Sequence, residues 1–181
     1  QYNKPRNRNY SKLRNLQDIL YGVALKEVVG SSDVNINKIT FDSRDVEKGD
    51  FFVAIKGLDQ DGHSYIDKAI GLGAKAVLCE ELPKDLNPEV SYIRTDDSKK
   101  ALGLIASNYY DCPSEKIDLV GVTGTNGKTS VATLLYRLFK SLGYGVGLIS
   151  TVNYLVDEEV LPSTHTTPDP LTINALLSKM I

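Results

Sequence analysis

Apolar and polar positions change rhythm several times along the chain, and each rhythm predicts an element. Residues 13–25 carry Leu13, Leu16, Ile19, Leu20 and Val23 at helical spacing. Residues 34–39 alternate apolar and polar, the period of a half-buried strand. Gly49-Asp50 then opens a continuous apolar run over 51–55, of strand length. Between His63 and Leu72, the residues Ile66, Ala69 and Ile70 share one helical face, and Gly71 and Gly73 stop it. Residues 76–79 and 90–94 are two further short strands. Asp96-Asp97-Ser98 supplies helix-start side chains before Ala101, Leu102, Ile105 and Ala106. Asp111-Cys112-Pro113 ends that helix near Tyr110.

The Pro-containing stretch 112–115 marks a boundary, and a second unit follows it. Residues 117–122 are expected to form a strand, followed by a glycine-rich turn. A helix from Lys128 places Val131, Leu134, Leu135, Leu138 and Leu142 on one stripe. Gly143 and Gly145 end it, and residues 147–152 return as a strand. The connection 153–168 reads as polar and irregular, and Asp169-Pro170 starts a last helix through Leu176. Strands alternating with helices predict an α/β architecture. The expected organisation is a basic, disordered leader over 1–12, a small α/β domain over 13–112, and the incomplete beginning of a parallel-sheet domain over 113–181. One β–α–β crossover leaves much of a parallel sheet's apolar surface uncovered, so the chain is expected to be the front part of a longer polypeptide.

Composition narrows the function classes. The 181 residues are 41% hydrophobic and 24% charged, a globular balance rather than a disordered or fibrous one. A formal charge of −2 is no footprint for indiscriminate nucleic-acid binding. Lys4, Arg6, Arg8, Lys12 and Arg14 all precede the first acid, Asp18, and this basic head is read as a solvated leader. No run approaches the ~18 apolar residues of a membrane span, and residues 1–10 lack the apolar stretch of a secretory signal. Cys79 and Cys112 are too few for a disulfide framework, and Cys79, within Ala-Val-Leu-Cys, reads as a small buried thiol. With two His and no Cys/His cluster, no zinc site is expected. The compartment consistent with these features is a reducing cytoplasm, with no membrane or nucleic-acid partner.

Chemistry concentrates in Gly121-Val122-Thr123-Gly124-Thr125-Asn126-Gly127-Lys128-Thr129, between an expected strand and an expected helix. Glycines there let backbone N–H groups turn onto phosphate oxygens, and the helix N-terminus adds its positive end. Gly124, Thr125, Asn126, Gly127, Lys128 and Thr129 are the candidate ATP-binding residues. Lys128 reaches the terminal phosphates and is the candidate catalytic residue, and the Thr129 hydroxyl is placed to ligate Mg²⁺. The strict phosphate-loop pattern wants a glycine where Val122 stands, so the literal motif fails while its physics survives. An ordinary glycine-rich turn would explain the glycines. It would not explain Lys-Thr directly after the last of them.

The wording TGTNGKT resembles the ATP loop of the Mur ligases and their relatives, the folylpolyglutamate and cyanophycin synthetases. Two further stretches support the resemblance. Phe41-Asp42-Ser43-Arg44, followed by Gly49-Asp50-Phe51-Phe52-Val53-Ala54-Ile55-Lys56-Gly57 and Asp61-Gly62-His63, is similar to the N-terminal uridine-nucleotide domain of those ligases. Thr164-His165-Thr166-Thr167-Pro168-Asp169-Pro170 is similar to the substrate loop of the branch that adds the third residue of the peptidoglycan stem peptide. The resemblance runs from about residue 13 to the last residue, with its three motifs in family order.

The resemblance implies an ATP-dependent ligase acting on UDP-N-acetylmuramoyl-L-Ala-D-Glu and a diamino acid, meso-diaminopimelate or L-lysine. ATP would phosphorylate the D-Glu carboxylate, and the amine would displace phosphate from the acyl phosphate, leaving an amide, ADP and phosphate. Positioning and charge neutralisation by Lys128, Mg²⁺ and backbone amides would do most of this, so no nucleophilic side chain is needed. Ser43 would hold the uridine-diphosphate portion, with Phe41, Leu58, Asp59 and Gln60 nearby, and Thr166 and Thr167 would contact the muramyl-dipeptide end. Thr166 and Thr167 also suit a capped turn before the Asp169 helix. Asp42 and Arg44 read first as a structural pair, and His63 as a helix-start residue. A monomer is expected. Alternatives are another phosphate-loop enzyme, the sibling ligase that adds D-Ala-D-Ala, or a non-catalytic UDP-sugar module. The family's acidic metal ligand, carbamylated lysine and closing third domain have no counterpart in these residues, so the chain alone is expected not to turn over. A steady-state assay with ATP, UDP-muramyl dipeptide and diaminopimelate should show no amide product.

Overall fold

Continuous apolar runs become the inner strands of a sheet buried on both faces. The computed structural model describes residues 13–57, 60–162 and 167–181, and the chain divides into two units between Ile105 and Ala106. In the first unit the order is β1 (Arg14–Asn15), α1 (Leu16–Ile19), β2 (Glu27–Val29), β3 (Asn35–Ile36), β4 (Ile39–Thr40) and β5 (Phe51–Val53). A 3₁₀ turn (Gly62–Tyr65) leads into α2 (Ile66–Gly71), followed by β6 (Ala76–Cys79), β7 (Ser91–Arg94) and α3 (Ser98–Tyr109), which runs past the division. The main sheet has the order β2-β7-β6-β5-β4, parallel from β4 to β7 with β2 antiparallel at the edge. Phe52, Val77 and Tyr92 pack with Ile66 and Ala69 of α2. Their neighbours Phe51, Val53, Leu78 and Ile93, pointing the other way, are fully buried too. Each such apolar side chain contributes roughly 1.5–3 kcal/mol relative to exposure, which is why the inner strands read as unbroken apolar runs.

Two expectations in this unit change. The helical rhythm over 13–25 yields one helical turn, because Arg14 and Asn15 pair antiparallel with Ile36 and Asn35. Asn15 then caps α1 by accepting from the Gln17 amide, and Gly22 takes a left-handed conformation soon after. The single strand expected over 34–39 is two, β3 and β4. At the break Asn37 turns away: its N–H donates to Gly49 O at 3.0 Å and its side-chain amide to Lys48 O at 2.7 Å. Strand β2 gave no sequence signal; it is three residues long, with Val28 exposed on an edge.

The second unit contains a 3₁₀ turn (Pro113–Glu115), α4 (Lys128–Ser141), β8 (Gly147–Ile149), β9 (Asn153–Val156), β10 (Glu159–Pro162) and α5 (Pro170–Lys179). Its sheet is antiparallel, in the order β10-β9-β8. Tyr154 and Val156 pack with Leu176 of α5, flanked by Ile149, Leu161 and Met180. Residues 117–122 form no strand, and Leu119 and Val120 are exposed, so the expected crossover into β8 is not built among the described residues. An extended segment needs a partner strand to satisfy its backbone, and none of the described strands lies beside it. The stretch expected to be irregular is instead the β9–β10 hairpin. Its polar Asp157-Glu158 is the turn, with Asp157 left-handed at φ 52°. The apolar stripe of α4 is present, and Val131, Leu134, Leu138 and Leu142 are exposed.

Gly49 sits at φ 93°, and a Cβ there would lie 2.5 Å from Asn37 Nδ2, the group that steers the chain between β3 and β4. Gly49→Ala is expected to cost about 2 kcal/mol. Gly71→Ala, where a Cβ meets nothing within 4 Å, is expected to be neutral. Urea unfolding midpoints of the two variants check this.

Candidate functional site

Strands β4 and β5 run parallel, with Thr40 opposite Phe52, so the segments leaving their carboxyl ends emerge side by side. In open α/β sheets ligands bind at that edge. The segment after β4 carries Phe41, half exposed, and Ser43, buried and 7% exposed. Its conformation is set locally. Thr40 Oγ1 accepts from the Asp42 amide at 3.1 Å, and the Asp45 amide donates to Asp42 O at 3.1 Å. Arg44 grips the Asp42 carboxylate through Nε at 2.9 and 3.1 Å and Nη2 at 2.6 Å, while its amide donates to Asp42 Oδ1 at 2.9 Å. The structural pairing expected for Asp42 and Arg44 is therefore formed, and it holds Ser43 between its two members.

The segment after β5 is a loop closed by a bridge between Lys56 and Asp61. Gly57 N–H donates to Gln60 O at 2.9 Å, and Gly62 N–H donates to Ile55 O at 2.8 Å. A Cβ on Gly62 would fall 2.6 Å from Ile55 N, so only glycine fits that crossing. Gln60 is exposed and accepts a long hydrogen bond from Tyr65 OH at 3.4 Å. Leu58 and Asp59 lie outside the described residues. Tyr65 is a residue that sequence reasoning missed; it precedes α2 and carries no motif signal. An open depression of about 400 Å³ nearby is lined by Lys38, Thr40, Arg44 and Glu47 among others, but by neither Ser43 nor Gln60.

In the second unit, the turn before α4 has the conformation that its glycines permit. Gly124 has φ 148° and Gly127 has φ 77°, and a Cβ on Gly127 would meet nothing within 4 Å. Gly127 is the N-cap of α4 and provides no side-chain cap, so the first-turn amides are left to an external acceptor. Lys128 Nζ bends back over the turn and donates to Gly124 O at 2.6 Å and more weakly to Thr125 O at 3.4 Å. Residues 124–130 are all exposed, Thr125, Asn126 and Thr129 included. These groups fit the phosphates of a nucleotide: first-turn amides without a side-chain cap, a helix N-terminus and one ammonium. Thr129 offers one hydroxyl, enough for Mg²⁺, which keeps waters and phosphate oxygens as its other ligands.

The start of α5 is the opposite case. Asp169 Oδ1 accepts from the Leu171 and Thr172 amides at 2.9 and 3.0 Å, and Oδ2 accepts from Thr172 Oγ1 at 2.6 Å. Thr167 is exposed just before this cap, and Thr166 lies outside the described residues.

Comparison with known proteins assigns the family. The Mur ligase family, catalytic domain, matches residues 35–110, and the Mur ligase middle domain matches residues 122–181. The chain belongs to the Mur ligase family. It is 52% identical over 167 residues to the UDP-N-acetylmuramoyl-L-alanyl-D-glutamate--2,6-diaminopimelate ligase of Cytophaga hutchinsonii, covering 92% of this chain and 34% of that one. It is similar in fold to a solved UDP-N-acetylmuramoyl-L-alanyl-D-glutamate--2,6-diaminopimelate ligase (TM-score 0.68, 20% identity, 93% of this chain and 34% of that one). It is also similar to MurF ligase from Thermotoga maritima, solved in complex with ADP (TM-score 0.51, 28% identity, 76% of this chain and 28% of that one). The chain thus spans about a third of the length of the curated relatives it matches.

The Arg44 side chain, and then its amide, hold the Asp42 carboxyl down to about 2 from its ordinary 3.8. A carboxyl depressed in the folded state lends stability that is complete above its ordinary value and is lost as pH falls from 3.8 through about 2. Asp42→Asn is expected to flatten that part of the stability profile. Chemical denaturation of both proteins across this pH range measures it.

Proposed function

We propose that this chain supplies the uridine-nucleotide and ATP-binding portions of a ligase that adds meso-diaminopimelate, or L-lysine, to UDP-N-acetylmuramoyl-L-Ala-D-Glu. The observation that carries the reading is the turn at 124–129: two glycines at positive φ, an uncapped helix N-terminus and Lys128 folded over them, in a chain of the Mur ligase family. Mur ligases are ATP-dependent, and the Thermotoga maritima relative was solved with ADP. The name of the Cytophaga hutchinsonii relative supports diaminopimelate as the amine donor.

In this reading the residues divide their work by unit. Residues 13–112 hold the uridine nucleotide, with Ser43 hydrogen-bonding the diphosphate and Phe41, Leu58, Asp59 and Gln60 around it. Residues 113–181 begin the ATP-binding domain. There the amides of 124–129 and the Lys128 ammonium hold the triphosphate, Thr129 ligates Mg²⁺, and Thr166 and Thr167 contact the muramyl-dipeptide end. Lys128 offsets charge on the transferring phosphoryl group, which then leaves a good leaving group on the D-Glu carboxylate. The protein acts as a cytoplasmic monomer on soluble precursors, and no helix among the described residues is long and apolar enough to cross a membrane.

Lys128→Ala is expected to weaken a non-hydrolysable ATP analogue with Mg²⁺ by roughly tenfold or more, since a charged hydrogen bond is worth about 1.5–3 kcal/mol. UDP affinity should be unchanged in that variant. Ser43→Ala should do the reverse, weakening UDP by roughly threefold to tenfold. Isothermal titration of each variant with both ligands separates the two sites. An unaltered chain that binds neither ligand overturns the proposal.

A further inference from the structure

Asp61, His63, Glu80 and Ser98 form one continuous run of hydrogen bonds. Asp61 Oδ1 accepts from the His63 amide at 3.0 Å and lies 2.6 Å from His63 Nδ1. The Glu80 N–H donates to His63 Nε2 at 2.8 Å. Glu80 Oε1 in turn accepts from Ser98 N–H at 3.0 Å and from Ser98 Oγ at 2.9 Å. Three places in the first unit are joined: the base of the loop, the residue after β6, and the start of α3.

The donors fix the state of the ring. A backbone N–H can only donate, so Nε2 must present its lone pair to Glu80. The ring proton then sits on Nδ1 and goes to Asp61. His63 is therefore a neutral imidazole with both nitrogens engaged, and its bond to Asp61 is not an ion pair. Such a ring has no nitrogen left to move a substrate proton. It can hold two pieces of chain in register.

We propose that His63 is a positioning residue, clamping the Asp61–His63 turn to the sheet and so pre-organising Gln60, its neighbour in the uridine-nucleotide site. This rests on the reading of that site given above. Turn capping alone does not need the imidazole, because Asp61 already accepts from the His63 amide. The bond to Glu80 spans 17 residues and anchors the turn to the carboxyl end of β6. Without it the Asp61–His63 turn keeps the Lys56–Asp61 bridge and the bonds of the Gly57 and Gly62 amides, while Gln60 keeps a long bond to Tyr65. A binding residue that must be ordered when its ligand arrives weakens affinity by that ordering, and a clamp made beforehand removes the loss.

The test is UDP titration of the 181-residue chain, with hydrogen exchange at the Gly57 and Gly62 amides. His63→Ala is expected to weaken UDP by about tenfold. It should speed exchange at those two amides while β6 stays protected and ATP-analogue affinity holds. Asp61→Asn keeps an acceptor for the ring N–H and should retain UDP affinity within about twofold. Should His63→Ala not fold, His63→Gln, whose amide oxygen can take over the Glu80 bond, should show a smaller loss in the same direction. UDP binding by the unaltered chain with the same affinity in the His63 variant overturns the role of His63. Uniform loss of protection through the sheet, with loop and core amides equally affected, overturns it too. Failure of the unaltered chain to bind UDP overturns the uridine-site reading itself.

Discussion

The parallel pairing of β4, β5 and β6 is the constraint on which the first unit depends. Because these strands point the same way, the segments that follow them leave from one edge. Ser43, Asp61 and Glu80 are far apart in the chain and share that edge only through the register Thr40–Phe52 and Val53–Leu78. The register in turn is held by side chains buried on both faces, Phe52 and Val77 on one and Phe51 and Leu78 on the other. The polar devices at the edge are tightly closed by comparison with the apolar layers that carry them. Asp42 is paired with Arg44, Asp61 Oδ1 with His63, and Glu80 Oε1 with Ser98.

Asp50 shows the cost of placing such groups near a core. It is only 1% exposed, and its Oδ2 accepts from the Glu47 amide at 2.7 Å with Lys38 Nζ 3.6 Å away. Its Oδ1 has no partner, and burial pushes its carboxyl above the usual range. Removal from water outweighs the amide and the lysine there.

The two helix starts of the second unit make a contrast with a physical meaning. Asp169 closes the N-terminus of α5 with its own carboxylate, and nothing is left over for a ligand. Gly127, the N-cap of α4, makes no side-chain cap, because glycine has no side chain to accept the first-turn amides. Both are ordinary ways for a helix to begin; only the second leaves its first-turn amides without a side-chain acceptor. The Mur ligase family membership gives that difference its sense.

Much of this was legible along the chain because it is local. The unbroken Ala-Val-Leu-Cys run, the Asp169-Pro170 cap and the Lys128 helix depend on neighbours in sequence, and the structure has them where those signals stand. The residues suited to phosphate were legible for the same reason, since glycine, lysine and threonine in one turn need no distant partner. What pairing decides was not legible. Residues 14–15 became a strand because Asn35 and Ile36 lie opposite, and 153–162 became a hairpin because two short runs meet across Asp157. Residues 117–122 look like a strand by composition, yet a ladder requires a second strand beside them. The Asp61–His63–Glu80–Ser98 run is of the same kind. Its members are ordinary in sequence, and tertiary structure alone brings a ring nitrogen to a backbone amide 17 residues away.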